Sequence, residues 1–290
     1  MTVMTIAKTA LMREHSRGMA LLAVLWTVAA LSIIATGITR SIRLESRAVS
    51  QARQEVEGQA IGEAAIQIAL QALTASNQPL SRKLTSDVVY RGASIQVQIM
   101  PLNGLIDINM APLPLLERLL AVAGGLSPDR AQAVAQSIVQ ARLERAIRGR
   151  GQLFEATEDL LQVPGMDYDL YARLASLLTA DLRGSGRVNP MAAPMEVLSV
   201  LAGGNISVAA QISAARDAGQ AGVDTSALEA GFLDASVSRR MQIQARVPMA
   251  DGGHVRISRS IDLSARTPDG APWHTFRATN GIEPTVRKNP

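Results

Sequence analysis

The sequence predicts an α+β protein in which a long N-terminal helix packs on an antiparallel sheet and a large all-α region is inserted between the strands. Three observations predict this fold class. An apolar run without charges, from Met19 to Ile38, continues into a proline-free stretch of helix-forming residues that reaches position 75. Short β-prone segments occur near residues 88–99 and 241–263. About 140 residues rich in helix signals separate these two groups of strands.

The apolar run 19–38 has the length that an α-helix needs to cross a bilayer. Three basic residues precede it, which favours a cytoplasmic N-terminus and an exported body: Lys8, Arg13 and Arg17. Apolar residues then recur at helical spacing between Ile61 and Ala72, so the second half of the helix has a stripe that needs a partner. We expect one helix over 20–75; two helices with a break at Gly58 or Gly62 are the alternative.

Two β-hairpins are predicted. Residues 88–90 and 94–99 flank an Arg91-Gly92-Ala93 turn, and residues 241–247 and 255–263 flank Asp251-Gly252-Gly253. The last segment, 264–290, is rich in Pro, Gly, Thr and charge, and we expect it to be a flexible tail.

The inserted region, 103–220, contains an imperfect repeat. One copy spans Gly104–Pro112 and the other Gly186–Pro194. In each copy a proline pre-orders a helix start, Leu and Val positions give the helix a buried face, and a glycine pair ends it. These units are typical of a helix-hairpin-helix-like or SAM-like domain.

Composition excludes several function classes. The chain has no cysteine, and its three histidines do not form ligand-spaced pairs, so cysteine chemistry and a histidine metal site are not expected. It also has no nucleophile elbow, phosphate-binding loop or His-Glu-x-x-His motif. We therefore expect an assembly component rather than an enzyme.

Helix-hairpin-helix units often bind DNA, so a membrane-anchored DNA-binding protein is the alternative from another class. Residues 101–220 hold 10 Arg, no Lys and 12 acidic residues, which does not favour contact with phosphates. The densest basic cluster is predicted to be a solvated helix end, and no nucleic-acid partner is expected: Arg142, Arg145, Arg148 and Arg150.

The junction between Gly18 and Met19 lies before the apolar run, whereas a secretory signal peptide is cleaved after it. Cleavage there would release a hydrophilic leader and leave the apolar helix on the mature chain. This arrangement resembles a type IV prepilin, the substrate of a prepilin peptidase. A plain signal anchor is the alternative interpretation of the segment.

Over nearly its whole length, the chain resembles the K-type minor pseudopilins of type II secretion systems (general secretion pathway protein K). Four features carry the resemblance: the Arg17–Leu22 junction, the Gly104–Pro112 motif, the Phe154–Met166 segment followed by Tyr171–Leu174, and the Val188–Leu198 motif. The last three, in this order, are the more specific ones. The resemblance implies a pilin-like sheet, cleavage at Gly18, a methylated N-terminal Met19, and a cap at the pseudopilus tip with the I- and J-type, then H-type, minor pseudopilins.

Ala23 stands at the fifth mature position, where most pilin-like proteins have a glutamate that neutralises a neighbouring subunit's N-terminal amine. A subunit without this carboxylate is suited to the topmost position. K-type relatives bind calcium, and oxygen ligands that could serve are Glu155, Glu158, Asp159, Asp167 and Asp169, although for each residue taken singly an acidic group at a helix start or on a solvated face is the favoured interpretation.

The expected organisation is therefore a leader (1–18), a transmembrane helix (19–38), helix continuation and first strands (39–102), the inserted domain (103–220), C-terminal strands (221–263) and a tail (264–290). The expected location is the inner membrane, crossed once, with the C-terminal domain in the periplasm. A minor pilin of a type IV pilus is the alternative from the same class.

Overall fold

The structure is a computed structural model that describes residues 4–76, 80–147, 154–182, 184–250, 252–264, 267 and 270–283. It divides into two compact units, Met1–Glu57 and Gly58–Pro290. The first unit contains the N-terminal part of helix α1, which spans Met4–Ser76. The second unit contains the rest of α1, the sheet and the inserted region.

Within the described residues, α1 is followed by five shorter α-helices and seven strands. The helices after α1 are α2 (Leu113–Val122), α3 (Pro128–Ile147), α4 (Tyr168–Leu174), α5 (Met195–Leu201) and α6 (Ile206–Asp217). The strands are β1 (Leu84–Tyr90), β2 (Ala93–Pro101), β3 (Ile106–Asp107), β4 (Leu178–Thr179), β5 (Arg240–Pro248), β6 (His254–Asp262) and β7 (His274–Glu283).

The main sheet has five antiparallel strands in the order β1-β2-β5-β6-β7. Both predicted hairpins are present. Arg91 and Gly92, which form the two-residue turn between β1 and β2, have φ values of 51° and 80°. Positive φ at both central residues matches the right-handed twist of the flanking strands and closes the hairpin tightly.

The last turns of α1 pack on one face of this sheet. Ala65, Ile66, Ala69 and Leu70 are buried against alternate apolar residues of the central strands. Gly58 and Gly62, where the sequence leaves room for a break, lie within the helix. A Cβ at Gly62 would lie 2.6 Å from Ile257 Cδ1, so these glycines allow helix and sheet to approach closely.

The inserted region leaves the sheet after β2 and returns at β5. Pro101 lies opposite Met241 in the register of these two strands. The predicted end of the region at residue 220 is wrong, because Leu228 and Phe232 are buried in its core and Leu233 bridges to Val188. The segment after residue 220 has only a few apolar residues within a glycine-rich stretch. Its sequence pattern therefore does not predict that it contributes to the core.

The predicted tail is also corrected. Residues His274–Glu283 form β7, which pairs with β6 along its full length, and residues 284–290 lie outside the described part of the chain. β7 has little apolar alternation. Arg246 and Arg256 both form ion pairs with Glu283, at 2.7 and 3.3 Å, so part of what fixes the strand is charge rather than apolar burial.

Candidate functional site

Helix α1 exposes a continuous apolar surface near its beginning. Trp26 is 74% exposed and Leu25 is 66% exposed, and the neighbouring apolar side chains are more than half exposed as well: Val24, Val28 and Leu31. Further along the same unit, Val49 and Val56 are also exposed and lie seven residues apart, which places them on one helix face. Exposed apolar surface of this extent is typical of contact with lipid or with another protein.

Gly18, Met19 and Ala23 belong to α1, but their side chains lie outside the described part of the structure. No helix is long and apolar enough to cross a membrane when only the described residues are considered. Of the span 19–38, the side chains of 19–23 and 33–38 are outside that description. The cleavage site and the membrane anchor therefore stay predictions.

The two copies of the repeat face each other. The glycine eight residues before the helix-starting proline is Gly104 in the first copy and Gly186 in the second. A Cβ on Gly104 would overlap the backbone of Ala192, and a Cβ on Gly186 would overlap the backbone of Met110. Each contacted residue lies two positions before its own proline, so the contact is reciprocal.

The same polar turn occurs in both copies. Asp107 is the counterpart of Asn189: the Asp107 carboxylate accepts from the Asn109 N–H, as the Asn189 Oδ1 accepts from the Met191 N–H. The second copy therefore carries an amide where the first copy carries a carboxylate. Asn189 Nδ2 also donates to Ser81 O at 2.7 Å, ahead of β1.

An arginine from the second helix of each copy donates hydrogen bonds to backbone carbonyl groups of the turn. Arg142 on α3 donates to Ile108 O and, at 2.8 Å, to Ala111 O. Arg216 on α6, which is 3% exposed, donates to the equivalent carbonyls of Pro190 and Ala193. The prediction that Arg142 belongs to a solvated helix end is wrong, because its guanidinium serves these carbonyls; the side chains of Arg145, Arg148 and Arg150 lie outside the description.

Asp107 is the most perturbed ionisable group of the repeat. Burial raises its pKa to about 7, while the hydrogen bond from Asn109 and the charge of Arg142 lower it and the charge of Asp181 raises it. Within the described residues, its Oδ2 atom and the Arg142 Nη2 atom have no hydrogen-bond partner. Burial likewise lowers the pKa of Arg142 to about 10. Sequence analysis missed this pair because neither residue has a partner at helical or strand spacing.

Polar contacts fix the inserted region to the sheet. Arg240, the first residue of β5, donates to Asp181 O in the inserted region. Arg277 on β7 forms an ion pair with Asp181 at 3.1 Å. A small apolar cluster lies beside these contacts, made of Met100, Leu102, Leu105 and Leu182 with Phe276. The inserted region and the sheet therefore share an interface that is both apolar and charged.

The acidic residues considered as calcium ligands serve the local structure where their contacts are described. Asp167 caps α4 by accepting from the Leu170 N–H at 2.7 Å, and Asp159 accepts from the N–H of Glu155 at 2.9 Å. Glu158 lies beside the Thr157 hydroxyl, and Asp169 is in the first turn of α4. Over the described ranges, no three His, Cys, Asp or Glu side chains are grouped as a metal site requires.

The Asp167 carboxylate also bears on the helix-hairpin-helix interpretation. It occupies the start of α4, where free backbone N–H groups would otherwise attract a phosphate. A carboxylate at that place is unfavourable for a phosphate beside this helix start.

No protein-family model matches the chain, and no curated protein matches it. Among solved structures, it is similar to a chain in the crystal structure of the GspK-GspI-GspJ complex from the enterotoxigenic Escherichia coli Type 2 Secretion System. The identity is 15% and the TM-score is 0.49, over 82% of this chain and 99% of that chain. At this identity and TM-score, the similarity carries no assignment of function.

Proposed function

We propose that this protein is a minor pseudopilin that caps the tip of a type II secretion pseudopilus. It is anchored by residues 19–38 in the inner membrane, with its C-terminal domain in the periplasm, and acts as an assembly component rather than as an enzyme. The exposed apolar stretch of α1 between Val24 and Leu31 carries the proposal. In a helix whose last turns are buried on a sheet, such a stretch is suited to lipid and to the equivalent helices of neighbouring subunits.

The sequence supports the tip position. Ala23 offers no carboxylate to the amine of a subunit above it, and an unpaired amine within the bilayer is costly. The inserted region between β2 and β5 adds bulk that a subunit in the shaft would have to accommodate against its neighbours. A chain at the top meets neither constraint, which favours the I- and J-type minor pseudopilins, then the H-type, as partners below it.

N-terminal mass spectrometry of the protein isolated from membranes tests processing. We expect a mature chain that begins at N-methylated Met19 when a prepilin peptidase is present. Gly18→Ala should leave the leader attached, because the resemblance to prepilins places the glycine before the cut at this position. An intact Met1 on the unmodified chain would contradict the proposal and leave a plain signal anchor.

Co-purification tests the partners and separates the two pilus systems. The full chain is expressed with the minor pseudopilins of a type II system or with the minor pilins of a type IV pilus. We expect a stable complex with the first set and none with the second. The reverse result would favour a type IV minor pilin, and a monomer with either set at micromolar concentration would contradict the tip role.

A further inference from the structure

A polar cleft of about 390 Å³ lies where the inserted region meets the sheet. Residues from three segments line it: 182, 184, 185 and 187 after β4, 234 and 236–240 leading into β5, and 262 and 264 at the end of β6. The volume is within the range of small-ligand sites. Asn103, Ser238 and Asp262 are each at least nine-tenths buried in its walls, so its polar groups are held by the fold.

Both carboxylates of the cleft are already satisfied. Asp234 accepts from the Ser185 hydroxyl at 2.6 Å and from the Ser236 N–H at 2.8 Å, and these bonds lower its pKa. Asp262 accepts from Arg240 Nε at 3.0 Å and from the Ser264 N–H at 2.8 Å. Burial alone would raise the pKa of Asp262, but these partners lower it. Both groups are therefore anions with engaged oxygens.

The cations are not balanced in the same way. Arg187 and Arg239 are exposed at the cleft, and within the described residues neither guanidinium has a hydrogen bond or an ion pair, while the charge of Arg187 helps to lower the pKa of Asp234. Together with Arg240, three arginines face two aspartates, so the described residues of the lining carry one excess positive charge. A guanidinium with free N–H groups beside a cleft is suited to a carboxylate.

Asn103 adds an acceptor that lacks its donor. Its Nδ2 atom is used by Ser236 O, while its Oδ1 atom has no partner among the described residues and is shielded from water. A buried acceptor without a donor costs about 1–3 kcal/mol. A ligand with an N–H group would offset this cost if it displaced the side chains that cover the atom.

We propose that this cleft binds a peptide carboxylate. A single negative charge matches the excess of one positive charge, whereas the two aspartates repel a multiply charged phosphate. The peptide N–H groups that accompany a carboxylate supply the donors that Asn103 and the serine oxygens accept, and inorganic anions have none. The proposal does not depend on the function proposed above, because the cleft is described without reference to the pilus.

Calorimetric titration of the full chain in a nonionic detergent tests the site. Two pairs of peptides are compared: Gly-Gly-Gly with a free or an amidated C-terminus, and blocked Gly-Glu-Gly against blocked Gly-Gln-Gly. We expect the acidic member of at least one pair to bind and its neutral partner not to bind. The pair that responds distinguishes a chain terminus from an acidic side chain as the source of the carboxylate.

The double variant Arg187→Gln/Arg239→Gln should weaken binding about tenfold, which corresponds to about 1.4 kcal/mol. Arg130→Gln removes an exposed arginine of α3, away from the cleft, and should leave binding unchanged. Three results would each overturn the proposal: equal affinity for acidic and neutral peptides, no binding at a peptide concentration of about 10 mM, or tighter binding of inorganic phosphate than of the acidic peptides. Unchanged affinity in the double variant would do so as well.

Discussion

Asp107 and Asn189 occupy equivalent positions in the two copies, but only Asp107 can ionise. Its pKa is about 7 in the folded chain and 3.8 when unperturbed, so the folded state holds the proton more tightly. This group contributes stability that is fully present below about pH 4 and is lost as the pH rises through about 7. The second copy avoids the loss with an amide.

Asp107→Asn should therefore stabilise the chain relative to the unmodified protein as the pH rises. Between pH 4 and pH 8, we expect the difference in free energy of unfolding to move in favour of the variant by about 4 kcal/mol. Urea denaturation across this pH range measures it. Asp87→Asn removes the same charge from an exposed position on β1 and controls for net charge. A difference that does not change with pH would contradict the raised pKa.

Arg142 and Arg216 should each resist replacement by lysine. A lysine keeps the charge but cannot direct two N–H groups to two carbonyls, so Arg142→Lys and Arg216→Lys should each lower the free energy of unfolding by about 1–3 kcal/mol. Arg130→Lys, at an exposed position of α3, is the matched control and should have little effect. Equal, small losses in all three variants would mean that these arginine–carbonyl hydrogen bonds contribute nothing measurable to the free energy of unfolding.

At the scale of elements, the glycines of α1 are needed for close packing against the sheet and not for the helix itself. Gly62→Leu should lower the free energy of unfolding by about 1–3 kcal/mol, because the new side chain has to displace Ile257 and Val247. Ala60→Leu adds similar volume to an exposed position of the same helix and should be nearly neutral. Thermal unfolding compares them, and a neutral Gly62→Leu would contradict the close packing.

The elements that the sequence predicts are those with a clear period. The two hairpins around residues 91–92 and 251–253, and the long α1, follow from turn glycines and apolar spacing. β7 was missed because Arg277 and Glu283 pair with residues far along the chain. The Asp107–Arg142 pair and the cleft at Asn103 were missed for a related reason: each depends on segments that only the fold brings together.

At the scale of the whole molecule, the inserted region joins the sheet at one point of the register. Because Pro101 lies opposite Met241, two residues suffice to connect β2 to β5. A chain in which Asn-Gly replaces residues 102–240 should keep the helix and the sheet folded, because a shorter connection loses less conformational entropy when the two strands are brought together. Circular dichroism and hydrogen exchange test this, and loss of protection in β5 and β6 would show that the sheet needs the inserted region.

The reciprocal contact of Gly104 and Gly186 has a consequence for the origin of the inserted region. Each glycine lies against the backbone turn of the opposite copy. Equivalent residues of the two copies therefore make equivalent contacts, as they do across the interface of a symmetric dimer. In a chain with a single copy, the surface at this glycine would stay uncovered until a second molecule bound to it. Such an arrangement fits an ancestral segment that first paired with its own twin and was later duplicated and fused within one gene.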